Sequence, residues 1–275
     1  MSHADDYVLG RSLPHSTRLD AQHLLWIMHL GYVLHPDIPI REDMKIADIG
    51  CGTAIWLLDI SRSLPRSAQL HGYDISDSLF PSRSLWPENV SLDLLNSMDD
   101  PPESLVGQYD VVHLRMWCSN FRIDTKNVNV LIRSVKKMLK PGGYMQWEEA
   151  DLRRQVVQPE AAREHERELQ TVFEESGIDH GCIQTLSASL QREQFAIIRE
   201  DRNVFQDFTS QLGTKTYLLA LKEILEGVKR RWEGDETGQR LAMRGQQSLT
   251  KLTSAYSNGL VYNWGPVSIL AQLES

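Results

Sequence analysis

Apolar residues in the first half of the chain gather in short runs separated by segments of helical period. Met44 to Ile49, Gln69 to Tyr73, Val90 to Leu95, Tyr109 to Leu114 and Tyr144 to Trp147 have the length of strands, and turn residues flank them. Between them, helices are predicted from about Thr53 to Leu64, stopped by Pro65, and from Asn127 to Leu139, stopped by Lys140-Pro141-Gly142-Gly143. Upstream, Ser16 reads as the N-cap of a helix to about Leu30, with Leu19, His23, Trp26, Ile27 and Leu30 on one side. Strands alternating with helices at this spacing predict a parallel, doubly wound α/β sheet.

The pattern changes after Asp151. Pro159 to Ser176 predicts a strongly charged helix with a solvated face, and Cys182 to Gln194 a further helix. Phe195 to Val204 fits a sixth strand. Thr216 to Trp232 and Gln239 to Tyr256 form a helix pair, split by Gly234 and Gly238, that the sheet does not need in order to close. That pair is read as a lid, and the tail Val261 to Leu273 as a last strand. The predicted division is an N-terminal helical cap at 1–40, an α/β core at 41–205, a helical lid at 206–260 and the final strand of the core sheet at 261–275.

Composition narrows the function classes. At 275 residues and 41% hydrophobic, the chain has material for one α/β core with an accessory lobe. A net charge of −8 gives no overall attraction to phosphate backbones, so nucleic acid is not an expected partner. Cys51, Cys118 and Cys182 are odd in number and far apart, forming neither a zinc pattern nor a disulfide framework. The stretch His23 to Leu34 is too short to cross a bilayer, and the opening MSHADD has no signal-peptide character. A reducing, cytoplasmic setting is expected, with a small-molecule substrate, no membrane, and a homodimer as the other partner considered.

Candidate chemistry sits at the strand ends. In Ile46-Ala47-Asp48-Ile49-Gly50-Cys51-Gly52-Thr53-Ala54, the two glycines allow a tight turn and close approach of a ligand, just before a helix N-terminus. A dinucleotide fingerprint would place glycine at position 55, where Ile55 stands, which disfavours NAD and FAD. Asp74 ends the second strand, where an acid accepts from both ribose hydroxyls. Either feature alone is what an ordinary turn would show; together, in a strand–turn–helix frame, they indicate a nucleoside site.

These residues also carry a family resemblance. Asp48-Ile49-Gly50-Cys51-Gly52-Thr53 resembles motif I of class I S-adenosylmethionine-dependent methyltransferases, and Tyr73-Asp74-Ile75-Ser76 their ribose-binding motif. Gln108 to His113 and Leu139 to Tyr144 are similar to their strand-four and pre-strand-five segments. Tyr7 to Ser12, Arg18 to His23, Ile55 to Asp59 and Gly143 to Glu149 resemble the fungal secondary-metabolism group that includes the gliotoxin N-methyltransferases. The resemblance covers roughly residues 7–151. It implies a Rossmann-like sheet of seven mostly parallel strands, with an N-terminal helix and a helical lid. The implied cofactor is S-adenosylmethionine, with S-adenosylhomocysteine as product.

Carried over by position, the resemblance puts Gly50, Cys51 and Gly52 beneath the methionine and ribose and Asp48 near the amine. Asp74 would take the ribose diol, with Ile75 on adenine. Asn96, Ser97 and Met98 follow strand three, Asn96 standing where the family often has an acid. His113, Leu114 and Arg115 end strand four beside the methionine end, and Arg11 or Arg18 would hold the carboxylate. Ala54 replaces the usual third glycine. His23 and His113 are the candidate catalytic bases. Trp117 and Glu149 are the candidate substrate contacts, with Glu148 or Glu149 an alternative ion-pair partner for Arg115. The implied activity is methyl transfer to O or N of a small secondary metabolite. The other reading is a relative that binds the cofactor without methylating, either a pericyclase-like catalyst or a regulatory scaffold. Strand four lacks an Asn/Asp-Pro-Pro-aromatic sequence, which also argues against a nucleic acid substrate.

Overall fold

The computed structural model describes residues 10–122 and 128–274. Tyr7-Val8-Leu9 and the predicted helix start at Asn127 lie outside them.

The chain opens with helix α1 (Leu13–Leu30). It begins earlier than Ser16 because Ser12 caps it: Ser12 has extended φ/ψ and its N–H donates to the His15 ring at 2.8 Å. Gly31, with φ +79°, closes the other end by returning its N–H to the Ile27 carbonyl. The buried face also differs from the expected one. Arg18, Gln22, His23, Leu25 and Trp26 face inward, while Leu19, Ile27 and Leu30 are only half-buried. A buried acid on a later helix draws Arg18 inward and rotates the face with it.

Strands β1 (Lys45–Ile49), β2 (Gln69–Asp74), β3 (Val90–Leu94) and β4 (Tyr109–Arg115) stand within a residue or so of their predicted places. Helix α2 (Ile55–Ile60) is shorter than the predicted Thr53 to Leu64. Gly52 and Ala54 both have positive φ, +54° and +56°, so no α-helix can start before Ile55. Helix α3 (Val128–Met138) leads directly into β5 (Leu139–Gln158), far longer than the predicted Tyr144 to Trp147.

Helices α4 (Arg163–Glu175) and α5 (Leu186–Arg192) precede β6 (Phe195–Asp201). The charged α4 is amphipathic: Leu169, Val172 and Phe173 are buried while most of its charges face water. Helix α6 (Asp207–Arg231) starts well before Thr216, and α7 (Glu236–Tyr256) and β7 (Val261–Leu273) complete the chain.

The seven strands form one sheet in the order β3-β2-β1-β4-β5-β7-β6. All neighbours are parallel except β7, which runs antiparallel to both β5 and β6. This is the expected Rossmann-like, mostly parallel sheet. One core packs Ile46, Leu57, Ile60 and Leu70 under α2. A larger one packs Leu25 and Trp26 of α1 with Trp147, Tyr262 and Trp264 of the sheet. Strand order reverses between β1 and β4, so their carboxyl ends diverge and open a crevice there. Helices α1 and α6 pack against each other above it, and α7 packs on α4 and α6.

Candidate functional site

A cleft enclosing ≈ 1530 Å³ up to bulk solvent opens at this reversal point. Its floor is the β1–α2 turn. The N–H groups of Gly50 and Cys51 both donate to the Tyr73 carbonyl, at 2.7 and 3.0 Å. This ties the turn to the end of β2 and requires φ +73° at Gly50. The Gly52 N–H then donates to Asp74 Oδ2 at 2.9 Å, and the Ser76 N–H to Oδ1 at 3.2 Å. Asp74 is thus aimed along the glycine turn, with lone pairs left for a ligand. Burial raises its pKa, and the Gly52 and Ser76 N–H groups and the Arg11 charge oppose that. Arg11 also lines the cleft, so its charge acts at the Asp74 end. Ile75 presents a 48% exposed apolar side chain beside it, and Ser97 and Met98 line the wall beyond β3. Asn96 also lines the cleft, but its amide is engaged locally: it donates to Asp99 at 2.8 Å and accepts from the Met98 N–H at 3.2 Å.

At the β4 end the cleft is backed by a buried ionic chain. Asp48 Oδ1 lies 2.7 Å from His113 Nδ1, and His113 Nε2 lies 2.7 Å from Glu148 Oε2. The same carboxylate accepts from Arg115 Nε at 2.9 Å. Arg115 Nη1 then reaches His23 Nδ1 at 3.0 Å, and His23 Nε2 meets Asp59 at 3.1 Å. Donor rules fix the protons along the chain. Arg115 can only donate, so His23 Nδ1 accepts and its Nε2 carries the hydrogen: His23 is neutral. Burial and then Arg115 lower its pKa accordingly. His113 has a carboxylate at each nitrogen. Burial opposes its charge, but Glu148 and Asp48 outweigh that and raise its pKa, so both nitrogens donate. For Glu148, burial likewise opposes the charge, yet Arg115 and His113 bring its pKa down to about 2. The Trp56 ring stacks on the imidazole at 3.8 Å and 2°.

The expected site residues mostly converge. All of them line the cleft except Leu114 and Glu149. Leu114 points into the main core, because the pleat turns it away from His113 and Arg115. Glu149 is 0% exposed and accepts from the N–H groups of Trp117, Cys118 and Ala150 and from the Trp147 indole. It organises backbone and does not face a substrate. His113 is corrected as a base: neither nitrogen has a lone pair for a substrate proton. His23 has its only acceptor nitrogen on Arg115. Arg18 is not available to hold a carboxylate from a ligand, since it forks onto Glu223 of α6 at 2.6 and 2.9 Å, with both side chains almost fully buried. Sequence reasoning missed this pair, the Trp56 stack and Met116, which lines the cleft with φ +57°. Arg18 and Glu223 are 205 positions apart and no local pattern links them.

A switch-point cleft with a glycine turn and an acid closing the next strand is the arrangement seen in nucleoside-binding Rossmann-like proteins. Comparison with known proteins makes this specific. Residues 32–197 match the family model described as a methyltransferase domain, and the chain belongs to that family. It is 36% identical over 143 residues to the methyltransferase grgD of a Penicillium species, covering 49% of this chain and 48% of that one. It is 31% identical over 145 residues to the N-methyltransferase tcpN of Claviceps purpurea, covering 52% and 51%. The chain thus spans about half the length of the curated relatives it matches. Its fold is similar to phosphoethanolamine N-methyltransferase 2 of Haemonchus contortus solved with S-adenosylhomocysteine, with TM-score 0.54, 14% identity, and coverage of 99% of this chain and 61% of that one. Among the described residues no helix is long and apolar enough to cross a membrane, and no His/Cys/Asp/Glu cluster fits a metal.

Proposed function

We propose that the cleft binds S-adenosylmethionine and that the chain transfers a methyl group to O or N of a small molecule. The observation that carries this reading is the joint geometry of Gly50, Gly52 and Asp74. Two left-handed glycines bare the backbone, and a carboxylate braced at 2.9 Å by the Gly52 N–H faces the space above them. That arrangement suits a ribose diol. The ionic chain supports the other half. Asp48, at its cleft end, presents a carboxylate on the wall, which suits a ligand bearing an ammonium group.

The cofactor would supply a methyl carbon already activated by the sulfonium. The chain's part is position and exclusion of water. Leu19 of α1 and Ala220 and Ile224 of α6 roof the cleft, while α7 contributes nothing to its lining. We assign the lid role expected of 206–260 to α6, together with the cap helix α1. Both cleft imidazoles have their nitrogens engaged, so neither takes a proton from substrate. This favours a neutral amine, which attacks through its own lone pair, over a hydroxyl, which would need a base.

Calorimetry with S-adenosylmethionine and S-adenosylhomocysteine tests the reading. The wild type should bind both. Asp74→Ala should weaken binding by about 1.5–3 kcal/mol, roughly 10- to 150-fold, through loss of charged hydrogen bonds. Absence of binding to the wild type, or an Asp74→Ala affinity within a factor of two, would overturn it.

A further inference from the structure

Strand β4 leaves the sheet at Arg115, whose register partner on β5 is Glu148. The next residue, Met116, still donates its N–H to the Glu148 carbonyl at 2.9 Å, but with φ +57°, a left-handed conformation that costs a side-chain-bearing residue about 1–2 kcal/mol. Trp117 follows in the right-handed region, at φ −86° and ψ −15°. A left-handed residue followed by a right-handed one turns successive N–H groups toward a common point. The Glu149 carboxylate occupies that point. Its Oε2 accepts from the Trp117 N–H at 2.6 Å and the Cys118 N–H at 3.1 Å, while Oε1 is held by the Ala150 N–H at 2.9 Å.

The consequence is felt across the cleft floor. The turn carries the Trp117 indole over the glycine loop, where Nε1 donates to the Ile49 carbonyl at 3.1 Å. A Cβ on Gly50 would come within 2.9 Å of the ring. The bare backbone of Gly50 therefore serves the tryptophan as well as the turn.

We propose that Glu149 is a positioning residue for the cleft: its buried carboxylate holds the Met116–Cys118 turn in the one conformation that lays Trp117 across Gly50. This rests on the cofactor reading of the cleft, and it gives Glu149 a role through Trp117 without contact to any ligand. Glutamine at 149 keeps one acceptor oxygen, and whichever way the amide is turned its NH₂ group faces an N–H donor, Ala150 on one side or Trp117 and Cys118 on the other, so the anchor is weakened.

The test uses the full chain labelled with 5-fluorotryptophan, the Trp117 resonance being assigned by its disappearance in Trp117→Phe. In Glu149→Gln that resonance should shift or broaden more than the other tryptophan signals. At about pH 8.5, where the Glu149 carboxyl with its pKa of about 7 is ionised, affinity for S-adenosylhomocysteine should fall by at least about tenfold, the scale of one lost charge-assisted hydrogen bond. Adding Met116→Gly, which adopts the left-handed conformation without penalty, should recover most of that affinity. Met116→Gly alone relieves the same strain, so an affinity gain of equal size with Glu149 in place overturns the proposal. An unchanged Trp117 resonance with affinity within twofold would overturn the proposal, as would a double variant no better than Glu149→Gln alone. If Glu149→Gln fails to fold, folding and binding by the double variant supports the proposal, and its failure overturns it. A wild type that binds no S-adenosylhomocysteine fails the cofactor reading instead; the Trp117 resonance then decides on Glu149 by itself.

Discussion

Replacing Glu148 by glutamine removes one charge from the middle of the buried chain while preserving shape. Glu148 is 0% exposed and accepts from His113, Arg115 and Gln146. Its pKa falls from 4.5 to about 2 on folding, because Arg115 and His113 favour the charged form. At about 1.4 kcal/mol per unit, the ionised form is stabilised by about 3 kcal/mol. Removing one member of a buried ion pair costs about 3–5 kcal/mol, so two routes agree on scale. The sign follows from linkage. A carboxyl whose pKa is depressed contributes fully above its unfolded value and loses the contribution as pH falls from 4.5 toward 2. His113, raised by the same contact, contributes fully below 6.5 and loses its share as pH rises through its folded value. The wild type should therefore exceed Glu148→Gln by the most on a plateau from about pH 4.5 to about 6.5, narrowing on either side. Urea unfolding at pH 6 should show a loss of about 3 kcal/mol, or about 6–12 °C in melting temperature for a chain of this size. A deficit below about 1 kcal/mol, or one that stays constant down to pH 3, would refute an ionic chain centred on Glu148.

Two further substitutions probe the cleft's walls. Gly50→Ala places a methyl 2.9 Å from the Trp117 ring at φ +73°, whereas Gly31→Ala has φ +79° with nothing within 4 Å. Both should lose about 1–2 kcal/mol to backbone strain, but only Gly50→Ala should also abolish S-adenosylhomocysteine binding in calorimetry. Glu223→Gln strands Arg18 in the α1–α6 interface and should cost about 3–5 kcal/mol in urea unfolding, while Arg18→Met/Glu223→Leu should return to within about 1 kcal/mol of wild type.

The parts of the fold legible in the sequence are those where one residue type has one structural use. Gly50 and Gly52 sit at positive φ, and Asp74 closes a strand beside them; spacing alone locates all three. The sequence pattern ends strand β5 at Trp147, because Glu148, Glu149 and Asp151 look like the start of a polar loop. They remain strand because β7 pairs with the segment and each acid finds partners inside the fold. The first turns of α6 are hidden in the sequence for a related reason. Thr209, Ser210, Gly213 and Thr214 are buried against the sheet, with Thr214 Oγ1 donating to the Ser210 carbonyl and accepting from the Tyr262 N–H, yet by residue type they read as a loop. The candidate bases failed differently. His23 and His113 do line the cleft, but what engages their nitrogens lies from 35 to 92 residues away in sequence. Residue type identifies a group able to move a proton; only the fold decides whether its lone pair is free.

The two adjacent acids of β5 make that distinction quantitative. Glu148 and Glu149 are both 0% exposed, and burial alone would raise both pKa values. Glu148 instead falls to about 2 and Glu149 rises to about 7. The strand's pleat sends them to opposite faces of the sheet. On one face Glu148 meets the cations Arg115 and His113, whose attraction exceeds the desolvation penalty. On the other, Glu149 meets neutral N–H groups of a turn, which offset the penalty only in part. A one-residue slip of β5 against β4 would exchange their neighbours, leaving Arg115 and His113 without their acid and the Met116 turn without its anchor. The register between these strands is therefore held by charge as well as by the apolar core, at the end of the sheet where the cleft opens.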